Sequence, residues 1–275
     1  IDKWTRQMDK WTSCPDITSL ITEAYREEKR GKPRQYIGAS GIGQQCLASI
    51  AFSYRGYPDT APEPQLKRIF RDGHKIEYDV VKDMRKAGVY VMETDPLTGK
   101  QWRWTGYGGL VMGNADGLME VDGELIGVEI KSMNMAKHAE LIKKGVKGSH
   151  PSYYDQMQAM MGLSNIQRFV IVAYNKNNSA YHHEYVDFDD FRWAYLTTKI
   201  EDVLNNRVQR VATDESDWRC RGCFKRDACW SGTEPEEKSV RTCGNSYADN
   251  DGVLHCKKCD AMMCTDWIKF EPRPT

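Results

Sequence analysis

The 275-residue chain balances 39 Lys and Arg against 39 Asp and Glu and has a mean hydropathy of −0.67, so any surface for a polyanion must be a local patch. No run of 18 apolar residues excludes a membrane-spanning helix, and the opening IDKWTRQMDKW lacks the apolar stretch of a secretory signal; a soluble, cytoplasmic protein with one sizeable core is expected. In a reducing compartment its nine clustered cysteines read as metal ligands before disulfides.

Residues 15–30 read as a helix carrying Ile17, Leu20, Ile21 and Tyr25, within an N-terminal helical extension over 1–35. Ser40 is a candidate cap for a helix running through Cys46 to Tyr54. After a proline-rich loop, 65–87 reads as a helix with Ile69, Gly73, Ile76, Val80 and Met84 as its inward stripe. Residues 89–92 and 102–107 have strand character. Two stronger strand signals meet at Asp122-Gly123, a two-residue hairpin turn. A lysine-rich helical segment follows Lys131, then a helix from Pro151 through Met161. Strands over 169–174 and 180–186 and a long helix over 190–211 close the core. Beyond Trp230 the composition turns polar and cysteine-rich. The expectation is an α/β fold: a mixed central β-sheet flanked by helices over 36–232, with a small C-terminal cysteine-rich module over 233–275.

The informative stretch is GNADGLMEVDGELIGVEIKS, from Gly113 to Ser132. If Asp122-Gly123 forms the turn, Val121 faces Glu124, and an unbroken register carries Asp116 directly opposite Glu129. Opposed side chains in an antiparallel pair have Cβ atoms about 4.5–5.5 Å apart. Two carboxylates at that separation repel, and a divalent cation such as Mg²⁺ turns the repulsion into ligation. Period-2 alternation places Lys131 on the face of Glu129 and turns Ile126, Val128 and Ile130 to the other, apolar face. The competing reading is a solvent-exposed amphipathic hairpin with ordinary charges.

Asp116 followed by Glu129-Ile130-Lys131 resembles the core of the PD-(D/E)XK nucleases, and more narrowly their RecB-like and lambda-exonuclease-like branch. Gly73-His74-Lys75-Ile76-Glu77 resembles the branch's helix with a His or Glu four residues after a glycine. Tyr153-Tyr154-Asp155-Gln156 is similar to its YxxQ motif. The resemblance covers 68–161, more weakly from Gly38. It implies a restriction-endonuclease-like core and a Mg²⁺- or Mn²⁺-dependent deoxyribonuclease, an exonuclease before an endonuclease. Asp116, Glu129, the Ile130 carbonyl and Glu77 would hold the metal, Lys131 would position the nucleophilic water, and Tyr153 and Gln156 would orient lysine and substrate. Glu77 also falls within the inward stripe of its helix, where a carboxylate is costly unless paired or metal-bound. The alternatives are a Glu77 that snorkels to water and a Tyr153/Gln156 pair that satisfies core backbone groups.

Cys220-Arg-Gly-Cys223 followed by Cys229 converges three thiolates, with Cys46 as the candidate fourth. Four thiolates suit either an iron–sulfur cluster or Zn²⁺, and Cys46 reads alternatively as a buried small apolar residue. The order is similar to that of iron–sulfur nucleases of the AddB and CRISPR-adaptation type, which implies a [4Fe–4S] cluster that clips the segment after the core to the N-terminal region. Cys243, Cys256, Cys259 and Cys264 look like a degenerate zinc ribbon, with His255 as an alternative ligand; a loosely ordered tail with free thiols is the competing reading. Cys14 has no evident partner.

Lys131, Lys137, Lys143, Lys144 and Lys147, with Arg68, Arg71 and Lys75, are candidates for a phosphate-tracking patch, against the plainer reading of a solvated helix face. Trp102, Trp104 and Tyr107 are base-stacking or core residues. The expected substrate is DNA, at single- or double-stranded ends, in a phage-type setting that places the protein in the host cytoplasm. A homo-oligomer or a replication or recombination partner is compatible with this. The main alternative is a nucleic-acid-binding module on a catalytically inactive nuclease fold; a metal-dependent hydrolase of another substrate is a further one.

Overall fold

The computed structural model describes residues 14–28, 31–259 and 266–274. Helix α1 (Ile17–Glu27) starts where the Asp16 side chain accepts from the Ser19 N–H. Its apolar residues are not buried: Ile17, Leu20 and Ile21 remain exposed. It is held instead by α4 (Pro64–Lys86), from which Lys67 donates to the Tyr25 carbonyl and Arg71 to the Tyr25 hydroxyl.

The segment expected as one helix through Cys46 breaks in two, a short α2 (Ala39–Ile42) and α3 (Leu47–Tyr54), with Cys46 rather than Ser40 at the second N-cap. Gly43 lies at the break because the chain there packs on Ser152, whose Cα would sit 2.8 Å from an added Cβ. Between them, β1 (Ile37–Gly38), β2 (Arg103–Gly106) and β3 (Val111–Asn114) form a small sheet in the order β1-β3-β2.

The central sheet has the order β4-β5-β6-β7 and is mixed: β4 (Gly117–Val121) with β5 (Glu124–Met133) and β6 (Arg168–Asn175) with β7 (Tyr181–Asp187) are antiparallel, while β5 and β6 run parallel. Asp122 and Gly123 both take positive φ, the twist a two-residue hairpin needs, and Val121 pairs Glu124 as expected. The parallel crossover consists of α5 (Met135–Ser149), broken at Gly145, and α6 (Pro151–Ser164). Helix α7 (Asp190–Leu204) ends seven residues before the expected boundary at 211, at Asn205 and a left-handed Asn206.

Each sheet face has its own cover. Ile126, Val128, Ile130, Val170 and Val172 pack with Val80 and Val81 of α4. The N-terminal half of α4 runs past the sheet, which leaves Ile69 of the expected stripe, and Phe70 beside it, largely exposed. The opposite face carries the larger core, with Met157 and Met160 of α6 and Leu196 and Ile200 of α7.

The described part of 233–275, the stretch expected as an appended cysteine-rich module, contributes to this larger core. Phe270 is buried against Phe52 with ring centroids 4.9 Å apart, and Ala248 belongs to the same cluster. Arg55, with no exposed surface, donates to the carbonyls of Arg241, Cys243 and Ser246. Burial pushes its guanidinium down to about 10. A buried cation needs hydrogen-bond acceptors, and the tail supplies them. The short hairpin β8 (Ser246–Ala248) and β9 (Leu254–Cys256) packs its turn, at Asp251 and Gly252, against the backbone of Tyr107 and Gly108.

Candidate active site

The β4–β5 ladder runs to Gly117↔Val128 and stops one residue short of the carboxylates. There the Asp116 N–H donates to the Val128 carbonyl, at 3.1 Å, and the Asp116 carboxylate accepts from the Ile130 N–H at 2.7 Å. The expected unbroken opposition of Asp116 and Glu129 is corrected: a side-chain acceptor replaces the ladder at this point and pulls Asp116 to the sheet edge. The two groups remain electrostatic neighbours.

Glu129 is 1% exposed. Its Oε1 accepts from Gln156 Nε2 of α6 at 2.7 Å and pairs with the Lys131 ammonium. Its Oε2 is buried without a hydrogen-bond partner. Burial pushes the carboxyl up to about 7; Lys131 opposes the shift and Asp116 adds to it. Burial also pushes Asp116 up to about 6, with the Glu77 carboxylate as the next cause. Burial disfavours the Lys131 charge, yet Glu129 beside it holds its pKa above the ordinary value.

Lys131 Nζ also lies 5.1 Å from the centre of the Tyr153 ring, a cation–π contact. His150 stacks on the other partner in this layer, its ring 5.3 Å from Tyr153 and 2° from parallel. His150 was not singled out in the sequence; its position before Pro151, which starts α6, was the available signal. Arg192 of α7 grips Asp155 at 2.5 and 2.7 Å, next to Gln156, and fixes the roll of α6.

Glu77 comes from the helix that covers the other face, and its carboxylate is a neighbour of Asp116 that raises the Asp116 pKa. His74 lies 3.7 Å from Glu77 and is 84% exposed, whereas Glu77 is 35% exposed. The structure thus links Glu77, Asp116, Glu129, Lys131, Tyr153 and Gln156 as successive neighbours in one cluster. Among the described residues no set of three or more His, Cys, Asp or Glu side chains stands at metal-ligating spacing. The donor chemistry nevertheless fits a hard divalent cation, because all three acids offer oxygen and one buried oxygen of Glu129 lacks a partner.

Cys46, Cys220, Cys223 and Cys229 line one small cavity with Arg210 and Trp230. Burial pushes the thiols of Cys220 and Cys229 up, and both feel Cys46 and Cys223. Cys256 and Cys259 line a surface pocket in the tail that does not include Cys243. Cys243 is instead fully buried beside Arg55 and Tyr57. The expected fourth member, Cys264, lies outside the described residues. His255 is engaged by Asp249 at 2.8 Å and stacked on Tyr247. Cys14 is exposed.

The basic patch is smaller than expected. Arg68 lies over the Tyr25 ring and Arg71 holds its hydroxyl and Asp72, so both serve the α1–α4 contact. Lys144 pairs with Glu140 and Lys147 with Asp189, while Lys75, Lys137 and Lys143 are exposed. Trp102 donates to the Met92 carbonyl and Trp104 packs edge-on against Phe169. With Tyr107 they are packing residues.

No family model matches the chain, and no curated protein matches it. Among solved structures it is similar to LHK-Exo, an alkaline exonuclease from Laribacter hongkongensis (TM-score 0.44, 19% identity, 68% of this chain and 90% of that one). LHK-Exo in complex with dAMP gives a TM-score of 0.45 at the same identity and coverage. A phage-related exonuclease from Haemophilus somnus 129PT gives 0.42, with 13% identity over 57% of this chain and 77% of that one.

The raised pKa of Glu129 sets a stability prediction. A carboxyl that titrates near 4.5 unfolded and about 7 folded favours the folded state below 4.5, and that advantage is lost as pH rises to 7. Glu129→Gln should therefore match the wild type near pH 4.5 and exceed it above pH 7.5, by on the order of 3 kcal/mol without divalent metal. Thermal unfolding of both proteins across pH 4.5–8 in EDTA checks this. A stability gap that stays constant with pH would contradict it.

Proposed function

We propose that the chain is a metal-dependent DNA nuclease, an exonuclease that hydrolyses phosphodiester bonds at DNA ends. The observation that carries this reading is the unpartnered, buried Oε2 of Glu129 beside Asp116 and Lys131. A structural ion pair would satisfy both carboxylate oxygens. This one leaves an oxygen aimed at nothing in the protein, the arrangement expected of a ligand awaiting a cation.

Asp116, Glu129, Glu77 and the Ile130 carbonyl would hold Mg²⁺ or Mn²⁺. The cation would act as a Lewis acid on the scissile phosphate and make bound water more acidic. Lys131, steered by Glu129 and backed by the Tyr153 ring, orients the attacking water and offsets charge that builds on the phosphoryl oxygens. Gln156 fixes the Glu129 carboxylate and keeps its other oxygen directed at the site. Glu77 is the metal-site residue of α4, and His74, turned to solvent, is not.

The Cys46, Cys220, Cys223 and Cys229 thiols form the second metal centre of this proposal. An all-sulfur donor set suits a [4Fe–4S] cluster or Zn²⁺. It would tie α3 to the 220–229 segment across the whole catalytic region, a long loop whose closure constrains the unfolded chain. The tail cysteines are left without that argument, because Cys243 is fully buried beside Arg55 while Cys256 and Cys259 line a surface pocket without it.

End-labelled linear DNA should be degraded with Mn²⁺ or Mg²⁺ and remain intact in EDTA. Asp116→Ala and Glu129→Ala should be inactive while still folded. Glu77→Ala should lower turnover on the order of a hundredfold or more and raise the metal concentration required, whereas His74→Ala should stay within a few-fold of wild type. A dead His74→Ala with a near-normal Glu77→Ala would reverse the assignment on this helix.

Protein purified without oxygen should be brown and contain iron, and Cys46→Ser and Cys220→Ser should each lose the colour and unfold at lower temperature. Colourless protein with one equivalent of zinc would make the clip a zinc site. Metal-free protein with unchanged stability in both variants would remove the clip altogether.

A further inference from the structure

A second surface feature lies outside the catalytic cluster. A groove of about 760 Å³ runs between the 38–45 turn, the N-terminal half of α4 and the 218–225 segment, with Arg34, Phe70, Trp218, Arg219 and Phe224 among its lining. Trp218 is 73% exposed, Phe70 46% and Phe224 39%, and the rings of Phe70 and Phe224 stand 6.3 Å apart. Three aromatic side chains open to one groove have a hydration cost that a folded chain ordinarily avoids. The groove lining has three cations, Arg34, Arg219 and Lys225, and one acid, Asp59. Lys225 is buried and pairs with Asp59 at 2.8 Å, and Arg219 pairs with Asp217 at 2.6 Å with a third of its side chain exposed, so the charge offered to the groove is that of Arg34 and the open side of Arg219. Arg34 lies in the exposed rim.

Two of the groove's walls lead to the carboxylates. Phe70 and Glu77 are seven residues apart on α4, which places them about 10 Å apart and within about 20° of the same helix face. On the other wall, the turn at Gly43 packs on Ser152, the neighbour of Tyr153. A strand whose scissile phosphate sits between Glu77 and Tyr153 therefore meets the groove within a few nucleotides.

We propose that this groove binds the single-stranded segment of the DNA substrate adjoining the scissile phosphate, with bases stacked on Trp218, Phe70 and Phe224 and the backbone facing Arg34 and Arg219. Aromatic platforms beside cations are the physical basis of sequence-tolerant single-strand binding, because only unpaired bases expose their faces for stacking. A duplex offers those side chains only its charged exterior. The inference rests on the nuclease reading for the location of the scissile phosphate, but the groove's affinity is measurable without turnover.

The test uses the full-length protein and fluorescein-labelled oligothymidylate in EDTA, where no hydrolysis occurs, with binding read by anisotropy. Trp218→Ala should weaken binding by about 5- to 100-fold, and Phe224→Ala should add to the loss. Trp218→Phe, which keeps a stacking face, should recover most of it. Affinity for a blunt duplex should change little in any of these variants. Mn²⁺-dependent hydrolysis of bis(4-nitrophenyl) phosphate, too small to reach the groove, should be that of wild type. Unchanged oligothymidylate affinity in the Trp218→Ala/Phe224→Ala double variant, or an equal loss for the duplex, would overturn the proposal. A parallel loss of small-ester hydrolysis in the variants would overturn it as well, by assigning these residues to the site or the fold. Wild-type protein that hydrolyses neither DNA nor the small ester, yet loses oligothymidylate binding with Trp218, would reject the nuclease reading and keep the groove.

Discussion

Glu129 is a carboxylate with 1% of its surface exposed, held between a lysine, a glutamine and the apolar layers of the sheet. Leaving an ionised carboxylate in such surroundings with one oxygen unsatisfied costs several kcal/mol. The fold tolerates this by raising the carboxyl to about 7, close to the pH at which it would have to ionise to accept a cation. Much of the surrounding architecture can be understood as support for that one side chain. Strand β5 is paired with β6 from Gly127 to Met133, which holds Glu129 in register opposite Ile171. Helix α6 is fixed by the Asp155–Arg192 fork, so Gln156 keeps its amide on Oε1.

The same constraint explains why the site forms at a sheet edge. Had the ladder continued past Gly117, Asp116 would have stood squarely against Glu129, with both carboxylates raising each other's pKa at closest range. Instead the Asp116 carboxylate takes the Ile130 N–H, and the gap opens the sheet to Glu77 from the far-side helix. Three acids thereby come together from two layers of the molecule. Lys131, the one cation among them, is held by charge and by the Tyr153 ring, and Tyr153 is in turn stacked on His150.

The hairpin was legible in the sequence because Asp122-Gly123 and period-2 alternation are local signals, and local physics decided the outcome there. The long helix α4 and the face of Glu77 were legible for the same reason. The break at Asp116 was not, since it depends on a side chain outcompeting a backbone acceptor. The inward stripe of α4 was misread at Ile69 because nothing in a periodic pattern says how far a helix overhangs its sheet. Arg68 and Arg71 read as phosphate ligands, yet Tyr25, more than 40 residues away in sequence, engages both. The tail read as a separate module because its cysteines dominate its composition. Its attachment is carried by Phe270 and by carbonyls around Arg55, which leave no compositional trace.

The central claim is that Glu129 and Asp116 form a cation site whose carboxyls still hold protons at pH 6, and proton release on metal binding tests it most directly. Mn²⁺ titrations by calorimetry at pH 6 in buffers of different ionisation enthalpy give the number of protons displaced. The account predicts about one or more protons released per Mn²⁺ at pH 6 and close to none at pH 8.5, with binding and release both lost in Glu129→Gln. Mn²⁺ that fails to bind, or that binds wild type and Glu129→Gln alike without proton release, would contradict it.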